Sequence, residues 1–137
     1  MNLQESAQMY LKTILLLEKR NGSVRAIDIA REMQFSRPTV SQQIKNLASH
    51  GYLEINDKKL IFLSQEGRKI AEETFRRHNG LVDFFIWIGV NEETAVEDAC
   101  RIEHYISQET FDRMREYFDY CRKSNDSENK LSASSEN

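Results

Sequence analysis

Apolar residues recur at every third or fourth position over residues 5–19, "ESAQMYLKTILLLEK". Met9 or Tyr10, Ile14 and Leu17 form one stripe, with Leu11 and Leu15 beside it. That period predicts an amphipathic helix, and "RNGS", with Gly22, marks its end. "VRAIDIAREM" repeats the pattern in a shorter helix, with Ala26, Ile29, Ala30 and Met33 on one side. A tight connection, "QFS", leads into "SRPTVSQQIKNLASHG", where Ser36 suits an N-cap, Pro38 suits the first turn, and Val40, Ile44 and Leu47 form a narrow apolar stripe. His50-Gly51 is the stop. "YLEI" and "LIFL", on either side of the charged turn "NDKK", predict a β-hairpin.

Ser64 then caps a long helix over 65–89 that is strongly apolar near its end, at Leu81, Phe84, Phe85, Trp87 and Ile88. Gly80 is a candidate bend in it and Gly89 its close. "NEETAVEDACRIEHYIS" starts from an Asn91 cap with two glutamates in the first turn, which favours a helix N-terminus. "QETFDRMREYFDYCRK" continues as a helix with Phe111, Met114, Tyr117 or Phe118, and Cys121 on one side. Residues 124–137 are small, polar and aperiodic, and predict a disordered tail. The expected fold is mainly α: a winged helix-turn-helix with a small β-hairpin over 1–72, an all-helical domain over 73–123, and the polar tail.

Composition narrows the class. The chain has 137 residues, 39% hydrophobic and 30% charged, which suits a globular protein of one or two small domains. No apolar run approaches the ~20 residues that span a bilayer, and "MNLQESAQMY" lacks the pattern of a signal peptide. A cytoplasmic protein without membrane contact is expected, with Cys100 and Cys121 as reduced thiols. Residues 1–70 carry 11 Lys+Arg against 7 Asp+Glu and residues 71–137 carry 8 against 15. A basic front half suits a polyanion, and an acidic rear half suits cations.

Helix, helix, tight turn, helix and hairpin is the order of a winged helix-turn-helix. The third helix presents Arg37, Thr39, Ser41, Gln42, Gln43, Lys45 and Asn46 away from its apolar stripe, a face without acids. Gln42 or Gln43 suits bidentate pairing with adenine, and Thr39 suits a thymine methyl. Arg37 and Lys45 suit phosphates, as do Lys58 and Lys59 at the hairpin tip. Arg25, Ser36 and Pro38 complete the expected DNA-binding set. One such helix reads only a few base pairs, so a homodimer on a two-fold operator is expected.

In "DACRIEHYIS", Cys100, Glu103 and His104 stand at i, i+3 and i+4, one face of a helix. Thiolate, carboxylate and imidazole are common metal donors. Each also has an ordinary structural role, as do Met9 in a core and His78 on the long helix. No H-E-x-x-H pattern, nucleophile–base pair or Gly-rich phosphate loop occurs, so neither catalysis nor an organic substrate is expected.

"MYLKTILLLEK", "SRPTVSQQIKNLASHGYL", "LSQEGRKIAEETFRRH" and "DACRIEHYIS" together resemble the diphtheria toxin repressor family of metal-dependent transcriptional repressors, in order from about residue 5 to 120. The resemblance implies that the winged-helix domain binds DNA, that the helical domain binds metal and dimerises, and that metal switches operator affinity. It implies Met9, Cys100, Glu103 and His104 as the activating metal site of iron-responsive members, and His78 as a ligand of a second site. That second site lacks its usual partners: Val82 and Val96 stand in their places, with Asp83 and Glu97 each one residue on, about 100° around the helix. The manganese-selective branch has carboxylates where this chain has Met9, Lys12 and Cys100. Thioether and thiolate donors favour softer ions than manganese. Fe(II) is therefore the expected activator, with Mn(II) as the alternative. A metal-independent winged-helix regulator is the remaining reading.

Overall fold

A computed structural model of the chain describes the backbone of residues 3–135 and the side chains of residues 4–126. It divides into two compact units, Met1–Arg76 and Arg77–Asn137. The first holds α1 (Leu3–Asn21), α2 (Ala26–Met33), α3 (Arg37–Ser49), β1 (Leu53–Ile55), β2 (Ile61–Leu63) and the start of α4 (Gln65–Trp87). The second holds the rest of α4, α5 (Glu92–Ile102) and α6 (Gln108–Ser135). The expected boundary at 72/73 thus moves to 76/77, inside α4. The reason is packing: Ala71 and Phe75, on the first turns of α4, belong to the core of the first unit.

That core gathers Leu11, Ile14, Leu15, Ile29, Val40 and Leu47, the apolar stripes of three helices, together with Leu53 and Ile61 of the hairpin. Burying each such side chain contributes roughly 1.5–3 kcal/mol. The strands pair antiparallel with Leu53 opposite Leu63 and Ile55 opposite Ile61. The turn between them is held by Asn56, whose Oδ1 accepts from the Lys58 N–H at 3.0 Å and the Leu60 N–H at 2.9 Å. Lys59 closes that turn at φ 62. Ser64 caps α4 as expected, accepting from the Gly67 N–H at 3.0 Å. Gly67 is required there, because a Cβ would land on the Tyr52 carbonyl.

The second unit is centred on Leu81, Ala99 and Phe111, with Val82, Phe85, Ile106 and Met114 against them. α4 runs unbroken past Gly80. A Cβ at Gly80 would lie 2.7 Å from Phe111 Cζ, so this glycine serves close approach of α6 and not a bend. Trp87 and Phe118 stack edge to face at 5.1 Å between centroids. Asn91 caps α5 through its Oδ1, which accepts from the Glu93 N–H at 2.9 Å.

Two expectations change here. The helix through "DACRIEHYIS" ends at Ile102 and a turn follows before α6. Ser107 caps that next helix, accepting from the Thr110 N–H at 3.1 Å. α6 then continues to Ser135, through 124–135, where a disordered tail was expected. With a helix already nucleated by packing at Phe111 and Phe118, each added turn is inexpensive, and the sequence beyond Gly89 contains no Gly or Pro to stop it. Residues 136–137 of the expected tail lie outside the described residues. Among the described residues no helix is long and apolar enough to cross a membrane.

Candidate metal centre and nucleic-acid interface

In the second unit His78 lies on α4, Cys100 in the last turn of α5, Glu103 at its C-cap, and His104 in the turn beyond. Glu103 keeps helical dihedrals, φ −55 and ψ −25, so the i, i+3 relation to Cys100 survives although the helix has ended. Its side chain is fully buried. Glu103 Oε2 lies 2.8 Å from His78 Nδ1, and Oε1 lies 3.3 Å from His104 Nε2. Cys100 Sγ, on the exposed side of this group, is 3.8 Å from the same His78 nitrogen.

A buried carboxylate is costly without partners. Here an imidazole reaches each oxygen, and an ionised carboxylate requires each of those nitrogens to donate. The arrangement is a chain of pairwise polar contacts. Among the described residues no group of three or more His, Cys, Asp or Glu side chains is placed so that it could hold a metal ion. The donor set nevertheless suits a divalent transition ion: two imidazoles, a carboxylate and a thiol within one small region. Such an ion would replace the shared protons, which is how metal binding comes to release protons.

His78, expected as a ligand of a second site, lies against Glu103 and Cys100. Val82, at one of the positions of that second site, packs against the apolar core of the unit, and Val96, at the other, is exposed. Spacing alone had no means of linking His78 to residues 25 positions away.

In the first unit Ser36 caps α3: its Oγ accepts from the Thr39 N–H at 3.3 Å and donates to Thr39 Oγ1 at 2.8 Å. Arg37, Pro38, Thr39, Gln42 and Lys45 are exposed along that helix, and Ser41 is half-buried. Lys58 and Lys59 are exposed at the hairpin tip. Arg25 is exposed at the start of α2, where its backbone N–H donates to Asp28 Oδ2 at 2.9 Å. Gln43 differs from its neighbours. It is half-buried, and its Nε2 donates to Ser6 Oγ on α1 at 2.9 Å.

Met9 is half-buried on α1 and packs against the core of this unit. It also borders an open cleft of about 530 Å³ with Ser6, Tyr10, Phe35, Pro38 and Thr39. Burial raises the pKa of the Tyr10 hydroxyl, keeping it neutral. Ser6, Tyr10 and Phe35 were not among the expected site residues. The available signal was the i, i+3 spacing of Ser6 and Met9, which places them on one face of α1.

Two family models cover nearly the whole chain. The iron dependent repressor N-terminal DNA binding domain matches residues 2–61. The iron dependent repressor metal binding and dimerisation domain matches residues 64–131. The chain belongs to the diphtheria toxin repressor family. Members of this family are metal-dependent transcriptional regulators, not enzymes. The transcriptional regulator MntR of Escherichia coli O6:H1 is 37% identical over 106 residues, 77% of this chain and 68% of that protein. The HTH-type transcriptional regulator MntR of Lysinibacillus sphaericus is 30% identical over 129 residues, 94% of this chain and 93% of that protein. Among solved structures, a manganese-dependent transcriptional repressor in complex with manganese superposes with a TM-score of 0.76 and 26% identity, over 83% of this chain and 53% of that one. The apo form of the manganese-activated repressor ScaR superposes with a TM-score of 0.70 and 28% identity, over 82% of this chain and 54% of that one. The chain thus spans about half the length of these two solved relatives.

Proposed function

We propose that this protein is a cytoplasmic, metal-activated transcriptional repressor that binds operator DNA as a homodimer and controls metal-uptake genes. The observation that carries the reading is the cluster of His78, Cys100, Glu103 and His104, built in a unit that matches a metal binding and dimerisation domain. A winged-helix unit whose third helix exposes Arg37, Thr39, Gln42 and Lys45 supports the DNA-binding half of it. His78, Cys100, Glu103 and His104 are the proposed ligands. Met9 remains a proposed donor on the strength of the family resemblance.

The activating ion proposed is Mn(II). The expectation of Fe(II) rested on the sulfur donors Met9 and Cys100, and it gains no support from the solved relatives, whose names specify manganese. The carboxylate of Glu103 suits Mn(II), whereas the imidazoles suit Fe(II). Fe(II) stays as the second reading because Cys100 supplies a thiol.

The deciding experiment is duplex DNA binding by fluorescence anisotropy, on protein prepared without oxygen and supplied with Mn(II), Fe(II) or chelator. Mn(II)-dependent binding that chelation reverses supports the main reading, and dependence on Fe(II) alone supports the second. Binding indifferent to both ions and to chelator overturns metal control.

A further inference from the structure

Gln42 and Gln43 are adjacent on α3 and chemically identical, yet they face different surroundings. Gln42 is exposed. Gln43, about 100° further around the helix, is half-buried with its amide Nε2 donating to Ser6 Oγ at 2.9 Å. The two partners are 37 residues apart in sequence, so this bond joins α3 to the N-terminal part of α1. A glutamine reads adenine through both ends of its amide at once, donor and acceptor together. The Gln43 amide nitrogen keeps a second N–H, so it is the half-buried setting of the side chain against Ser6, away from the exposed position of Gln42, that sets it apart from a base-reading glutamine.

We infer that Gln43 is a positioning residue of the DNA-binding unit: it fixes the seating of α3 on α1 through Ser6 and leaves base reading to Gln42 and Thr39. The inference rests on the reading of α3 as the helix that enters the major groove. Its effect on DNA is indirect and independent of base sequence. The bond holds the first two turns of α3, which carry Arg37, Thr39 and Gln42, at one setting relative to α1. Met9 lies one turn on from Ser6, so a displacement of that turn of α1 reaches the DNA-reading helix through the same bond.

The test uses the full chain with Mn(II) and a pool of randomised duplex DNA, sequencing the bound fraction. The strongest selected duplex then serves for affinity measurements. Loss of one internal hydrogen bond predicts that Ser6→Ala and Gln43→Ala each weaken binding about fivefold, while the double variant is no weaker than either single one. Ser6→Thr, which keeps the hydroxyl, should retain wild-type affinity. The base preferences of Gln43→Ala should match those of the wild type, whereas Gln42→Ala loses preference at one base pair. Thermal melts of each variant show that the fold is intact. Loss of preference at one base pair in Gln43→Ala, or independent effects that multiply in the double variant, would overturn the assignment. A wild-type protein that enriches no sequence with Mn(II), nor with Fe(II) when prepared without oxygen, overturns the DNA-reading role of α3 itself, and the inference with it.

Discussion

The fully buried carboxylate of Glu103 lies 2.8 Å from Nδ1 of His78, a residue 25 positions earlier on another helix. The pair ties α4 to the end of α5, and it does so with groups that a transition ion can also use. In the proposed site, structure and metal binding draw on the same atoms. His78→Ala should destabilise the second unit by about 1–3 kcal/mol, the usual cost of leaving a buried polar group without its partner. It should also lower Mn(II) affinity by more than about tenfold. Glu103→Gln, which keeps hydrogen-bonding capacity but removes the charge, should lose metal affinity with a smaller loss of stability. Urea titrations and calorimetric titration with Mn(II) separate the two effects. A His78→Ala protein with wild-type metal affinity would remove His78 from the site.

Lys59 closes the hairpin turn at φ 62, a conformation that a β-carbon disfavours. Lys59→Gly should therefore stabilise the protein, by up to about 1 kcal/mol. The same change should weaken DNA binding if Lys59 meets a phosphate, and the slope of log affinity against log salt should fall by about one. Opposite signs for stability and affinity in one variant are the expected signature. A higher Tm with an unchanged salt slope would place the hairpin tip away from the DNA.

Two glycines probe the two units separately. Gly67→Ala drives a Cβ into the Tyr52 carbonyl in the first unit, and Gly80→Ala drives one into the Phe111 ring in the second. Each should cost about 1–3 kcal/mol as overpacking. Hydrogen exchange should show faster opening near Tyr52 and the hairpin for the first variant, and across α4 and α6 beyond Gly80 for the second. Gly67→Ala should cost more, because a backbone carbonyl yields less readily than a phenyl ring.

Arg20 and Glu32 join α1 to α2 at 3.1 Å. The hydrogen bond from Arg20 holds the Glu32 carboxyl below its ordinary value. A carboxylate depressed in the folded state contributes stability above its unfolded pKa, and the contribution is lost as pH falls through the folded value. Glu32→Gln should therefore reduce stability slightly at neutral pH and make no difference at strongly acid pH. The pair is exposed, so the effect is small and should shrink further in high salt. Denaturation midpoints over the acid range, at low and high salt, check the sign.

What the sequence determined by itself was everything encoded within a turn or two of chain. Ser36, Ser64 and Asn91 cap helices where expected, because a cap needs only a hydroxyl or amide oxygen and an N–H two or three residues on. The winged order, the hairpin around Asn56 and the exposed polar face of α3 follow from periodicity and turn chemistry. So do Cys100, Glu103 and His104 as neighbours. Tertiary structure decided the rest. It ended α5 at Ile102, used Gly80 for helix contact, carried α6 through the polar tail, brought His78 to Glu103, and turned Gln43 away from Gln42 onto Ser6. Most of these outcomes depend on which surfaces pack together. A buried carboxylate or a half-buried amide takes its partner from whatever helix lies opposite, and no local period in the chain records which helix that is.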